Sequence, residues 1–211
     1  MRLPTLISLP NEPALEKWAR LFRYRKADGL ISQELQGKGA LTLVDFGCGQ
    51  DISYHKYLGY TFGQKAKKIH YIGLDPLLPK SAKKSPNIEL IKAKFEDVHL
   101  KEKADLITMF AVLEHVDDPL SLVREACMVL KPGGTLIITT PAPLARFPLE
   151  FFSYFLGIIS TREIDEHKRY PTKESLLHIV AQLQKVGLRI TATHTYFELG
   201  LNNLLIIRKT T

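Results

Sequence analysis

Cysteine is scarce in this chain: two among 211 residues, Cys48 and Cys127, far apart and without the spacing of a zinc site. A disulfide scaffold and a zinc ribbon are thereby excluded, and both side chains read as reduced thiols of a cytosolic protein. Their plainer role is that of small buried side chains. Long hydrophobic runs are lacking too. The longest, LEFFSYFLGIIS at 149–160, is too short to cross a bilayer and carries Glu150 at its edge, so no transmembrane segment is expected. The opening MRLPTLISLPNEP has no apolar run of the signal-peptide kind and is broken by Pro4, Pro10 and Pro13, which makes the expected location cytoplasmic. No internal repeat or low-complexity tract is visible, and no Gly-Lys-Ser/Thr follows a glycine loop, which excludes a P-loop.

What is present is an ordinary α/β composition, 45% apolar and 24% charged, on a length that suits one domain with a small appendage. Such a chain buries a core without staples. The formal net charge is +7. A basic surface attracts nucleic acid, anionic lipid or acidic substrates. The lysines of GQKAKKIH and PKSAKKSP are interrupted and flank strand-like runs, the pattern of solvated loops, so nucleic acid is the less favoured partner.

Short apolar runs alternate with helical periodicity. ALTLVDF (40–46), KIHYIGLD (68–75), IELIKAK (88–94), ADLITMFAV (104–112) and GTLIITTP (134–141) read as strands buried on both faces. DPLSLVREACMVL predicts a helix capped by Asp118, with Pro119 in its first turn and Leu120, Val123, Cys127 and Leu130 on one face. KPGG then stops it. PTKESLLHIVAQLQKVG predicts another, capped by Thr172 and stopped at Gly187, with Leu176, Ile179, Val180 and Leu183 as its stripe. Two further strands, 188–197 and 203–209, are joined by a link too short for a parallel crossover and are therefore antiparallel. The fold class is thus α/β: a doubly wound, mostly parallel sheet of seven strands ending in an antiparallel pair, with helical residues 12–36 packed at one end.

In such sheets ligands sit beyond the carboxyl ends of the strands. VDFGCGQD (44–51) stands there, with Gly47 and Gly49 but Ile52 at the third glycine place of a dinucleotide loop, so a pyrophosphate cradle is poorly supported. Asp75, closing YIGLD, is placed to accept hydrogen bonds from both hydroxyls of a ribose. Asp45, the Gly47/Gly49 turn and Asp75 together describe a site for a nucleoside with a small polar tail that is not a phosphate. Asp51 is read as a cap for the helix ISYHKYLGY or as a carboxylate facing the ligand.

These stretches resemble class I S-adenosylmethionine (SAM)-dependent methyltransferases, in particular the small-molecule branch that includes ubiquinone-biosynthesis-like enzymes. VDFGCGQD, YIGLDP, ADLITMFAVLEHVDDP, LKPGGTLIITTP and HKRYPTKESLLHIVAQLQKVGLRI follow the family's order over about residues 40–209. The resemblance implies a Rossmann-like methyltransferase domain over 40–211 behind an N-terminal helical cap at 1–39, and SAM as cofactor with S-adenosylhomocysteine (SAH) as product. It implies that Asp45, Gly47, Cys48 and Gly49 surround the methionine part and that Asp75, with Pro76, holds the ribose. Phe95 and Glu96 fall at the adenine, although Ala93-Lys94 replaces a common Gly-Asp pair. Phe110 and Ala111 fall beside the methionine amine and the sulfonium.

Methyl transfer from a sulfonium is an in-line displacement, so the protein mainly positions the acceptor and needs a base only where the acceptor must lose a proton. His115, after the fourth strand, and His167 with Tyr170, in IDEHKRYPT, are the catalytic candidates. The adjacent acids at 117–118 and 165–166 read as solvated or capping groups, and no metal is assigned. The insert at 142–170, with Phe147, Phe151, Phe152, Tyr154 and Phe155, is read as a lid or apolar acceptor wall and secondarily as a dimer patch. A small hydrophobic or anionic acceptor, such as a quinone precursor, is the leading partner, on a monomer or homodimer. RNA or protein methylation, and a scaffold that binds cofactor without transfer, are the competing functions.

Overall fold

The computed structural model describes residues 14–37, 39–79, 84–93, 103–145 and 170–210. The chain divides into two compact units, Met1–His99 and Leu100–Thr211.

In the first unit the helical stretch anticipated at 12–36 is two helices, α1 (Ala14–Arg25) and α2 (Asp28–Gly37). Then come β1 (Leu41–Phe46), α3 (Ser53–Phe62), a 3-10 turn at Gly63–Lys68, β2 (Ile69–Leu74), β3 (Lys84–Ser85) and β4 (Ile88–Ile91). β1 and β2 are parallel from Leu41↔Ile69 to Phe46↔Leu74, β2 and β4 are parallel, and the short β3 lies antiparallel to β4. Leu43, Val44, Phe46, Tyr71, Ile72 and Leu74 are buried, which explains the near-continuous apolar character of both central runs. Tyrosines fasten the helices. The Tyr24 and Ser53 hydroxyls lie 2.6 Å apart, and the Tyr57 hydroxyl donates to Asp28 Oδ2 at 2.6 Å. The Tyr24 ring packs 4.8 Å from Tyr54 and 5.4 Å from Tyr57. Large rings with polar tips bury area while the Tyr24 and Tyr57 hydroxyls keep partners.

The second unit comprises β5 (Ala104–Phe110), α4 (Pro119–Val129), β6 (Leu130–Pro141), a 3-10 turn at Pro143–Ala145, α5 (Lys173–Lys185), β7 (Ile190–Phe197), a 3-10 turn at Glu198–Gly200 and β8 (Asn202–Lys209). β5 and β6 are parallel; β8 is antiparallel to both β6 and β7. The mostly parallel α/β pattern with its antiparallel terminal pair is therefore present. Among the described residues, seven strands have four residues or more; the two-residue β3 is an eighth that the sequence pattern did not suggest.

Caps behave as their residue types require. Asp118 Oδ1 accepts from the Ser121 amide at 3.0 Å, and Thr172 Oγ1 from that of Ser175 at 3.1 Å. Gly187, at φ +92, follows the end of α5. The stripe of α4 needs correction. Val123 and Cys127 are buried together with Leu122 and Ala126, whereas Leu120 is only half-buried and Leu130 already opens β6. KPGG lies within β6 but outside its pairing: Ala104 pairs with Leu130 and Leu106 with Thr135, so residues 131–134 bulge out, with Gly133 at φ +77. α4 thus ends just ahead of KPGG, as expected, and lysines satisfy its last carbonyls. Lys209 Nζ donates to the carbonyls of Cys127 and Leu130, each at 2.9 Å, and Lys103 Nζ donates to that of Met128 at 2.9 Å.

Asn203 is fully buried on β8. Its amide donates to the carbonyls of Pro171 (2.9 Å) and Pro141 (3.4 Å), and its oxygen meets His194 Nε2 at 2.9 Å. The two stems of the 142–170 insert are thereby tied to one side chain; residues 146–169 lie outside the described residues. Asn203→Ala is expected to cost about 1.5 kcal/mol and to lower the melting temperature by about 3–6 °C, because it strands buried polar partners. Differential scanning calorimetry measures it.

Candidate functional site

Local chemistry builds the loop after β1. Gly47 and Gly49 sit at φ +77 and +69, a region that only glycine enters at no steric cost. The amides of Gly47 and Cys48 both donate to the carbonyl of Leu74, at 2.8 and 3.2 Å, which binds the loop to the end of β2. Asp75, 7% exposed, then holds the turn from below: its Oδ2 accepts from the Gly49 amide at 2.9 Å and its Oδ1 from the Leu77 amide at 2.7 Å. Two accepted bonds leave an ionised carboxylate about two further lone-pair sites for a ligand. Among the described residues, a Cβ added at Gly49 would meet nothing within 4 Å.

Asp45, 2% exposed, accepts a 2.6 Å hydrogen bond from the Tyr71 hydroxyl. Cys48 is buried; burial pushes its thiol well above the ordinary range, and the charges of Asp45 and Asp75 add to that. It stays a neutral thiol at physiological pH and is no nucleophile. Pro76 is exposed after Asp75. The first unit therefore brings Asp45, Gly47, Cys48, Gly49, Asp75 and Pro76 together at the carboxyl ends of β1 and β2.

One expectation fails here. Asp51 is exposed and does not cap α3; the cap position is Ile52, with no side-chain cap hydrogen bond. Ile52 occupies the left-handed region at φ 45 and ψ 44, an outlier for a β-branched residue. The place where a dinucleotide loop carries its third glycine thus keeps the glycine-like backbone while bearing a side chain.

In the second unit, Ala111 is also left-handed, at φ +56, and its amide donates to the carbonyl of Thr139 at 2.9 Å; Phe110 beside it is half-buried. Glu114 is fully buried, and half-buried His115 closes a turn through its amide to the carbonyl of Val112 at 3.0 Å. Tyr170 is half-buried next to Pro171. Lys94, Phe95, Glu96 and His167 lie outside the described residues.

Sequence reasoning missed Tyr71, the Leu77 amide and the backbone of Ile52. A tyrosine in an apolar strand next to a strand that carries an aspartate was the one available signal for the first.

A family model described as a methyltransferase domain matches residues 9–193. The chain belongs to that family. It is a class I SAM-dependent methyltransferase domain, as the ordered motifs implied. The ubiquinone biosynthesis O-methyltransferase of Xanthomonas campestris pv. campestris is 31% identical over 122 residues, 54% of this chain and 48% of that protein. Its namesake from Vibrio parahaemolyticus is 25% identical over 185 residues, 80% of this chain and 70% of its own length. The chain thus spans about half the length of the first of these relatives. Among solved structures, the plantazolicin methyltransferase BpumL in complex with SAH superposes with a TM-score of 0.69 at 11% identity, covering 93% of this chain and 87% of that one. An S-adenosylmethionine-dependent methyltransferase from Mesorhizobium loti gives 0.57 at 18% identity, covering 87% and 97%. At these identities the structures speak for the fold, Rossmann-like and mostly parallel. No described helix is long and apolar enough to cross a membrane.

Proposed function

We propose that this methyltransferase domain transfers a methyl group from SAM to a small hydrophobic acceptor, and that the acceptor atom is a hydroxyl oxygen of a quinone precursor. The observation that carries the cofactor half is the Asp75 carboxylate, clasped by the amides of Gly49 and Leu77, with no described atom within 4 Å of a Cβ at Gly49. This geometry suits two ribose hydroxyls with no phosphate. The acceptor half rests on the two relatives, both named ubiquinone biosynthesis O-methyltransferase.

Bound SAM supplies the activated methyl group and its thioether leaving group. The residues of the chain bind and orient. Asp75 and Pro76 hold the ribose. Asp45, with Gly47, Cys48 and Gly49, takes the methionine part, whose ammonium calls for acceptors. The family resemblance assigns Phe95 and Glu96 to the adenine and Phe110 and Ala111 to the sulfonium. A hydroxyl acceptor must lose its proton, and His115, His167 and Tyr170 are the groups proposed to receive or relay it. The insert at 142–170 supplies the apolar wall.

The test is transfer of labelled methyl from SAM into a panel of quinone precursors bearing free hydroxyls, bulk tRNA and a protein lysate. Label in the hydroxylated ring compounds alone is the expected result. Label in RNA or protein would replace the acceptor assignment. Tight SAM binding with no transfer to any class would favour the scaffold.

A further inference from the structure

Asp45 and Tyr71 are 26 positions apart in the chain, and the parallel register of β1 on β2 makes them diagonal neighbours: Asp45 pairs with Gly73, two residues beyond Tyr71 on the same face. Gly73 has no side chain to stand between them. A Cβ there would come within 3.0 Å of Tyr71 Cε1 and 2.9 Å of Cys48 Sγ. Through that gap the Tyr71 hydroxyl reaches Asp45 Oδ2 at 2.6 Å, the length of a charge-assisted O–H···O bond. Both residues are buried, and the Tyr71 ring is further packed by His55, with centroids 5.0 Å apart. Burial first, then the Asp45 charge, raise the Tyr71 hydroxyl well above the ordinary tyrosine value, so it remains a donor throughout the physiological range.

We infer that Tyr71 is a positioning residue for cofactor recognition: by holding Oδ2 of Asp45 it fixes the plane of the carboxylate that receives the ammonium of the methionine part. The inference rests on the SAM reading above and adds the residue that orients its acceptor. An ammonium bound by an unrestrained carboxylate would bear the ordering of that side chain at the moment of binding; Tyr71 sets the orientation beforehand. Contact with the nucleoside lies elsewhere, at Asp75, so the effect of Tyr71 must be confined to ligands that carry the amino-acid tail.

The experiment is calorimetric titration of SAH and of 5′-methylthioadenosine, which has the same nucleoside but no ammonium, into wild type, Tyr71→Phe, Asp45→Asn and the double variant, with melting curves for each. In Tyr71→Phe, SAH is expected to weaken about 5–10-fold, the cost of ordering the freed Asp45 side chain on binding, while 5′-methylthioadenosine is unchanged. Asp45→Asn, which keeps the tyrosine, should show the same selectivity, and adding Tyr71→Phe to it should change SAH little further. Equal losses for both ligands in Tyr71→Phe, no loss for either, or full additivity in the double variant overturn the inference while leaving the SAM reading intact. A wild type that binds neither nucleoside overturns both.

Discussion

Asp75→Ala is expected to weaken SAM and SAH binding about 100-fold, since about 3 kcal/mol is at stake when one carboxylate serves two ribose hydroxyls. The same substitution also releases the Gly49 and Leu77 amides, at 2.9 and 2.7 Å from the carboxylate oxygens. The loop must then find water for two donors near a residue only 7% exposed. Asp75→Asn separates the two roles. An asparagine oxygen satisfies one loop amide, while its NH2 group opposes the other donor, so a partial loss between wild type and Asp75→Ala is expected. Isothermal titration measures the affinities, and melting without ligand reports the loop. Affinity for SAH unchanged in Asp75→Ala would place the nucleoside elsewhere.

Gly73→Ala is the substitution expected to disturb the first unit most. The new methyl would stand 2.9 Å from Cys48 Sγ, 3.0 Å from Leu90 Cδ2 and 3.0 Å from Tyr71 Cε1. Leu90 is half-buried at its strand edge and can yield, but Cys48 is packed in the loop and the Tyr71 ring is held by its bond to Asp45. Overpacking of this kind costs about 3 kcal/mol at its upper end, offset by about 1 kcal/mol from the lower chain entropy of alanine. A net loss of about 2 kcal/mol lowers the melting temperature by about 4–8 °C. Because the ring that must move is the one holding Asp45, SAH affinity should fall in the same variant. An unchanged melting temperature would mean that the sheet has slack at this position.

The elements that were legible in the sequence are those whose causes are local. Leu43, Val44 and Phe46 form a strand because β-branched and apolar residues bounded by turn chemistry have few other uses. Asp118 and Thr172 cap helices because a short acceptor side chain at that place satisfies a free amide within three residues. Gly47, Gly49 and Asp75 were recognisable for the same reason: a left-handed turn after one strand and an acid at the tip of the next. Where local rules compete, the sequence was a weaker guide. KPGG reads as a helix stop and α4 does end just before it, but nothing local shows that Lys209 and Lys103, distant in the chain, take its last carbonyls. Asp51 reads as a cap, yet Ile52 holds that place in a conformation its own side chain disfavours.

By itself, then, the sequence determined the longer strands, the Asp118 and Thr172 caps, the glycine turn and the family, all of which depend on spacings of a few residues or on their order. Tertiary structure alone decided that Tyr71 meets Asp45, that Gly73 leaves the gap for it, and that Asn203 joins Pro141 to Pro171. These contacts span 26 to 62 positions and are set by strand register, a property of two segments together that no propensity of either one encodes.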